Sequence, residues 1–296
     1  MNRGVLYAIG AYVIWGFLPI YWKAIKEVPA LQILNHRMVW SLVFLTILIS
    51  ARKNWAPLRQ AIRQPKTVMV YALAACLLGV NWLTYIWGVN AGFIVETSLG
   101  YFINPLVNVL LGVIFLREKI RPLQWLPIGM AAVGVLYLTV SYGSLPWIAL
   151  VLAFTFALYG LLKKTAPLGS LHSLTLETGI LFVPSLLYLL FVAMQGGGAF
   201  VQYDAMTNLL LIFTGVVTAV PLLLFGVAAR SINLSLLGLL QYIAPTCQFL
   251  IGVLIYNEPF TQARLIGFSI IWAALFLYWL ESFVARRQAA RLATAD

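Results

Sequence analysis

The sequence predicts an all-α integral membrane protein: ten transmembrane helices arranged as two inverted five-helix repeats. Three observations predict it. Of 296 residues, 62% are hydrophobic and only 9% are charged, with a mean hydropathy of +0.95, whereas a soluble domain carries about 25% charge. Apolar stretches of about 20 residues, the length of helix that spans a bilayer, recur from end to end. One such stretch, Leu99 to Glu118 (LGYFINPLVNVLLGVIFLRE), returns 140 positions later as Leu239 to Glu258 (LLQYIAPTCQFLIGVLIYNE).

Laid over each other without a gap, the two stretches share seven of twenty residues: Leu99/Leu239, Ile103/Ile243, Pro105/Pro245, Leu110/Leu250, Gly112/Gly252, Val113/Val253 and Glu118/Glu258. A shared proline, glycine and terminal glutamate are harder to obtain by chance than shared leucines. The same offset pairs Lys23 with Lys163, Leu31 with Leu171 and Arg37 with Glu177. The expected organisation is therefore a first repeat over 4–140, a second over 145–281, and a basic tail over 282–296. With five helices per repeat, the second half enters the membrane upside down. The halves are then related by a pseudo-two-fold axis in the membrane plane, an arrangement that places binding sites near the midplane between them.

In chain order, the expected spans of the first half are 4–22, 31–50, 68–89, 96–116 and 122–140. Those of the second half are 146–162, 171–193, 206–228, 232–256 and 262–281. The first span lacks a small-x-small cleavage site and runs on to Trp22, so it reads as a retained helix and not as a signal peptide. The second ends at the longest polar connection, Ala51 to Lys66, which holds Arg52, Lys53, Arg59, Arg63 and Lys66. The fourth opens on Glu96, a charge that suits a helix N-terminus. The remaining connections are short and leave no room for a soluble domain.

Lys and Arg are retained in cytoplasmic loops, so their distribution orients the chain. With the N-terminus inside, the inner segments collect fifteen: Arg3, the five of the 51–66 connection, Arg117, Lys119, Arg121, Lys163, Lys164, Arg230, Arg286, Arg287 and Arg291. The outer segments hold three, Lys23, Lys26 and Arg264, and Arg37 lies within a span. Both termini are expected in the cytoplasm. The net charge of +11 is thereby explained by loops, without nucleic acid as a partner. Cys76 and Cys247 both fall in apolar segments, which argues against a disulfide framework, and no CxxC metal site exists.

The Pro-x6-Gly-x5-Glu pattern closing the fourth span of each half (Pro105, Gly112, Glu118; Pro245, Gly252, Glu258) resembles the EamA-type drug/metabolite transporters. Gly4-Val5-Leu6-Tyr7-Ala8, Tyr12-Val13-Ile14-Trp15-Gly16, Tyr21-Trp22-Lys23, Glu27-Val28-Pro29, His36-Arg37 and Asn81-Trp82 are more closely similar to the RarD group of that family. The likeness covers nearly the whole chain. It implies a permease of the bacterial inner membrane that moves a small metabolite or drug, an amino-acid-like or other small amphipathic solute. The RarD group is usually described through chloramphenicol sensitivity. Related families carry amino acids, sugars, nucleotide sugars and drugs, so the fold does not fix the cargo.

Candidate site residues follow from polarity inside apolar spans. On the fourth span Thr97, Tyr101, Asn104, Asn108 and Gly112 recur at steps of four, three, four and four, one helical face. The ninth repeats the stripe with Gln241, Gln248 and Gly252. Lipid penalises such amides, so the stripe either lines a water-filled cavity or hydrogen-bonds between helices. Pro105 and Pro245 each remove a backbone donor, kinking the helix and freeing the carbonyls of Tyr101 and Gln241. Asn81, Tyr85 and Gly88 form another one-sided run beside Trp82, and Trp15 and Trp40 add aromatic faces suited to a flat solute. Trp22, Trp125, Trp147 and Trp279, near span ends, read as an interface belt.

Arg37 and Glu177 are charges within spans, at equivalent positions of the repeats. Each is about six residues in, hence ~9 Å deep at a rise of about 1.5 Å per residue. Arg37 is a candidate for holding a substrate carboxylate and Glu177 for carrying a coupling proton; alternatively each pairs locally and locks the bundle, or snorkels to its interface. His36 points about 100° away from Arg37 around the helix and is either a group titrating near neutral pH or a structural donor. Glu118 and Glu258 oppose the dipole at their helix ends, so each is expected to have a basic partner: Lys119 or Arg121 for Glu118, Arg264 for Glu258.

Three function classes compete. An intramembrane enzyme would need HExxH, paired intramembrane aspartates or a nucleophilic serine with a histidine partner, none of which is evident. A non-transporting scaffold would need no polar stripe repeated in both halves. A secondary transporter working by alternating access uses every feature above and needs no Walker A loop, which the chain lacks. The expected partners are a small-molecule substrate, membrane lipids and protons as coupling ion. No cofactor and no metal are expected, and fused repeats suit a functional monomer.

Overall fold

The computed structural model describes residues 3–91, 93–143, 145–256 and 262–293, and every regular element among them is helical. The first half holds α1 (Arg3–Ala24), α2 (Ala30–Ala51), a short α3 (Ala56–Ile62), α4 (Pro65–Asn90), α5 (Ile94–Leu116) and α6 (Trp125–Tyr142). The second holds α7 (Trp147–Thr165), α8 (Ser170–Met194), the single turn α9 (Ala199–Gln202), α10 (Ala205–Ser231), α11 (Leu234–Gln241), α12 (Ile243–Leu254) and α13 (Gln262–Ala293). Ten segments among the described residues are long and apolar enough to cross a membrane, with α11 and α12 forming one of them. Their outer faces are what lipid requires: Met69, Leu136, Val140, Phe276 and Leu187 are all more than half exposed. The chain is a multi-pass membrane protein.

Helix ends fall within a few residues of the expected spans, with four informative differences. The ninth span is interrupted at Tyr242, between α11 and α12. Pro245 supplies no N–H to the Gln241 carbonyl, so the helical ladder stops there. At Pro105 α5 runs on without a break. The last helix continues through the expected tail to Ala293, and 294–296 lie outside the described residues. Lys163, counted above as a loop charge, belongs to the last turns of α7 and is 3% exposed.

The two halves are interleaved. α1 packs on α10 and α12, α2 on α8 and α10, α4 on α7 and α8, α5 on α7 and α11, and α6 on α13. Exchanging the halves maps this pattern onto itself. The α1–α12 contact becomes α7–α5, α1–α10 becomes α7–α4, and α2–α10 becomes α8–α4. Packing of this kind is consistent with a two-fold relation between repeats. Small residues bring the backbones together: a Cβ on Gly16 would lie 2.5 Å from that of Cys247, one on Gly238 2.6 Å from the Pro105 carbonyl oxygen, and one on Gly215 would strike the Trp40 backbone.

The repeated glycine and glutamate of the fourth span have a shared structural meaning. Arg117 turns the chain through the left-handed region (φ 52°), and the Glu118 amide donates to the Gly112 carbonyl at 3.0 Å. That turn sends the Glu118 carboxylate across to the N-terminus of α11. There it accepts from the backbone N–H of Leu234 (2.6 Å) and Ser235 (2.9 Å) and from the Ser235 hydroxyl (2.7 Å). A Cβ at Gly112 would sit 2.6 Å from a Glu118 oxygen, so the glycine makes room for the carboxylate. The expected basic partner is therefore replaced by the positive end of a helix, and Arg121 pairs with Glu281 instead (2.8 Å). Glu258 lies outside the described residues, as does the side chain of Arg264.

Basic residues at the same end of the bundle work as caps. Lys164 donates to the carbonyls of Ala229 and Ile232 at the close of α10, and Arg230 to those of Ala166 and Leu168 after α7, which suits the negative ends of both helices. At the opposite end Asp204 caps α10 by accepting from the Thr207 amide (2.9 Å). Its hydrogen bonds with Thr207 hold its carboxyl below the usual range.

Candidate functional site

A cavity of about 140 Å³ lies inside the bundle, walled by both halves. From the first half come Tyr12, Trp15, Leu18, Pro19 and Trp22 of α1, Arg37 of α2, Asn81, Trp82 and Tyr85 of α4, and Tyr101 of α5. The second half supplies Phe156 of α7, Thr218 and Leu222 of α10, Gln241 of α11, and Ala244, Pro245 and Gln248 of α12. Among the described residues, none of α6, α8 or α13 is in the lining. The wall is aromatic on most sides, with three amides, one threonine and one charge.

That charge is Arg37. Its guanidinium lies 4.8 Å from the ring centroid of Trp22 and 4.6 Å from that of Trp82, and its Nε donates to Thr218 Oγ1 at 3.0 Å. Cation–π contacts of this kind strengthen as water is excluded. Tyr85 and Tyr101 pair edge-on nearby, with centroids 5.8 Å apart. Among the described residues no carboxylate lies within ion-pairing distance of Arg37; the two ion pairs found there are Arg121–Glu281 and Lys163–Glu177.

The amides divide into two groups. Gln241, Gln248 and Asn81 line the cavity. Gln248 Nε2 donates at 3.1 Å to the Trp15 carbonyl, the acceptor that Pro19 leaves without its helical donor. Asn81 donates to the Leu152 carbonyl (2.8 Å) and Thr155 Oγ1 (2.9 Å). Asn104 and Asn108 are placed behind the wall, 2% and 1% exposed. Asn104 donates to the Ala153 carbonyl, and Asn108 to Asn104 Oδ1 (3.0 Å) and Gln241 Oε1 (3.2 Å). The stripe expected on one face is thus cavity lining at Tyr101 and Gln241 and interhelical bonding at Asn104 and Asn108.

Three further candidates point elsewhere. His36 and Trp40, one turn apart on α2, both face Phe200 of α9, with ring centroids at 4.7 and 6.2 Å; among the described residues His36 Nδ1 and Trp40 Nε1 have no hydrogen-bond partner. Glu177 is fully buried and paired. Lys163 Nζ donates to its Oε1 at 2.9 Å and the Tyr159 hydroxyl to its Oε2 at 2.9 Å, while Lys163 also donates to Ser173 Oγ. Tyr159 stacks on Phe225 (6.2 Å between centroids), which contacts Phe156 and Trp15 at the cavity wall.

Trp22, Thr218 and Phe156 belong to the cavity and were not expected there. Trp22 was assigned to the interface belt from its nearness to a helix end. Periodicity carried the better signal, since Tyr12, Trp15, Pro19 and Trp22 recur at steps of three, four and three on one face of α1. Thr218 and Phe156 have no such pattern around them. Lys163 is one turn beyond Tyr159 on α7, and only the folded α7–α8 hairpin brings it to Glu177.

Comparison with known proteins agrees with this architecture. Residues 2–140 match the EamA-like transporter family. The chain is 48% identical to Protein RarD of Streptomyces exfoliatus over 99% of its length and 94% of the relative's. It is 46% identical to the uncharacterized transporter YojE of Bacillus subtilis (strain 168), covering 94% of this chain and 93% of that one. Protein RarD of Escherichia coli (strain K12) is 43% identical, with 98% of each chain covered. A crystal structure of 18% sequence identity superposes with a TM-score of 0.71, covering 94% of this chain and 98% of its own, and speaks to the fold alone. The chain belongs to the EamA-like transporter family, as a RarD-like membrane transporter.

Proposed function

We propose that this protein is a secondary-active permease that moves a small metabolite or drug across the bacterial inner membrane by alternating access. The observation that carries the reading is a polar, aromatic cavity walled by both halves around an intramembrane arginine, since charges inside a bundle mark substrate paths. Symmetric interleaving of the halves supports it: each contact of one half on the other has a counterpart that rearrangement can exchange. The EamA match, whose bounds coincide with the first half, supports reading 4–140 and 145–281 as the two repeats. The skew of basic residues toward one face supports cytoplasmic termini. The family's transporter relatives support a carrier that passes its solute unaltered, and fused repeats support a functional monomer.

Trp15, Trp82, Tyr85 and Tyr101 hold the flat part of the solute, and Arg37, Asn81, Gln241 and Gln248 orient its polar part. Asn104 and Asn108 hold α5 against α7 and α11. Glu177, satisfied by Lys163 and Tyr159, locks α8 to α7 at the face where the termini lie. The test is uptake into proteoliposomes of a pool of labelled amino acids, sugars and chloramphenicol, with and without a pH gradient. Saturable entry of one class, weakened by Gln241→Leu, is the expected result. Entry that is saturable but indifferent to Gln241→Leu and Trp82→Ala would remove this cavity from the path. Gradient dependence lost in a folded Glu177→Gln protein would reassign Glu177 from lock to proton carrier.

A further inference from the structure

Arg37 is a cation in a membrane interior with its counter-charge missing. The other buried cation, Lys163, shows what this fold does when a charge is merely structural: it supplies a carboxylate at 2.9 Å, a tyrosine hydroxyl on that carboxylate and a serine on the ammonium. Arg37 receives two indole rings and one threonine. Trp22 and Trp82 engage the guanidinium through their ring faces, leaving its N–H edge as the donor surface. Nε is taken by Thr218, and the two terminal nitrogens have no acceptor among the described residues. A planar fork of donors left open beside a cavity matches a carboxylate or sulfonate.

The rest of the wall decides what that anion is attached to. Among the described lining residues none is Asp or Glu, so an ammonium finds no counter-ion, and Arg37 repels it while occupying Trp22 and Trp82. Gln248 spends one of its two N–H donors on the Trp15 carbonyl, and Asn81 spends both of its own on α7. What remains is mostly aromatic surface, with the uncharged Gln241 amide and the Tyr85 and Tyr101 hydroxyls set in it, in about 140 Å³, roughly the share of five waters. We propose that the cavity selects a small organic monoanion with a flat apolar body, and rejects its zwitterionic, cationic and neutral amide counterparts. This rests on the cavity being the transport site, and it replaces the amino-acid-like solute expected from sequence.

The test uses matched probes on the purified full-length protein: benzoate against benzamide, benzenesulfonate against benzenesulfonamide, and phenylalanine as the zwitterion, with binding read by thermal shift and calorimetry. Each anion should bind about tenfold or more tightly than its amide, the usual weight of a charged hydrogen bond. Arg37→Gln should abolish that preference, and Arg37→Lys should keep part of it. Amides or phenylalanine binding wild type as tightly as the anions would overturn the inference without any variant having to fold. So would an anion preference that persists in Arg37→Gln. Flux of labelled benzenesulfonate, which does not cross lipid by protonation, separates this inference from the transport reading. Binding through Arg37 with no flux would leave the anion site and remove transport, whereas flux of neutral solutes only would do the reverse.

Discussion

Arg37 and Glu177 hold equivalent places in the two halves and meet opposite surroundings. At Glu177 a lysine fourteen residues earlier, Lys163, closes an ion pair that no solvent reaches. At Arg37 the equivalent lysine, Lys23, has turned away to lie over the ring of Tyr256. Two cations placed together would repel, and among the described residues Arg37 is left without a carboxylate in ion-pairing distance. Removing one member of a buried pair strands the other, at a cost of about 3–5 kcal/mol. Glu177→Gln should therefore lower stability by about that much, measured by denaturation in detergent. Replacing both partners, as Lys163→Met with Glu177→Leu, should recover most of the loss, because desolvation of both charges is then avoided. Full stability in Glu177→Gln alone would argue that the pair is not the lock described.

Sequence reading found Glu177, though not its partner Lys163, and eight of the residues that line the cavity (Trp15, Arg37, Asn81, Trp82, Tyr85, Tyr101, Gln241 and Gln248). It did so because polarity inside an apolar span is itself the signal. It did not separate Asn104 and Asn108 from Tyr101, because one helical face can front a cavity at one turn and a neighbouring helix at the next. Trp40 was expected in the cavity and packs elsewhere for a related reason: the turn α9, which brings Phe200 over Trp40 and His36, has no signature in a hydrophobic pattern.

At the scale of elements, the joint between α5 and α11 explains the Gly-x5-Glu of the first half. Its parts act as a unit, with the left-handed turn at Arg117, the bare face of Gly112 and the carboxylate on the α11 N-terminus. Glu118→Gln weakens two charge-assisted bonds to backbone N–H, and Gly112→Ala places a methyl where the carboxylate lies. Each should cost about 2 kcal/mol. The double variant should cost little more than either, since both remove the same contact. Additive losses in the denaturation midpoints would contradict a shared joint. Sequence marked this motif as special, but the expected basic partner was wrong. A carboxylate at a helix C-terminus asks for positive charge, and only the tertiary fold shows that another helix's N-terminus supplies it.

For the whole molecule, most of each half's packing partners lie in the other half, so neither half buries its apolar faces alone. Expressed separately, residues 1–143 and 145–296 should be degraded or aggregate; co-expressed, they should assemble into one complex that binds the solute taken by the intact chain. Stable, monodisperse isolated halves would show that the interleaved packing is not what holds them. The number of spans and their order were legible because hydrophobic length survives without knowledge of contacts. Which faces meet was not, because lipid-facing and protein-facing leucines look alike in sequence.

The central claim is that one cavity between the halves opens alternately to the two sides. Its most direct measurement places a single thiol at Gln248→Cys in a Cys76→Ala, Cys247→Ala background, in sealed vesicles of known orientation. A small membrane-impermeant methanethiosulfonate reagent is then added to one side or the other, with and without transported solute. The account predicts labelling from both sides, slowed by solute at each. Labelling from one side only, unchanged by any solute the protein carries, would contradict it.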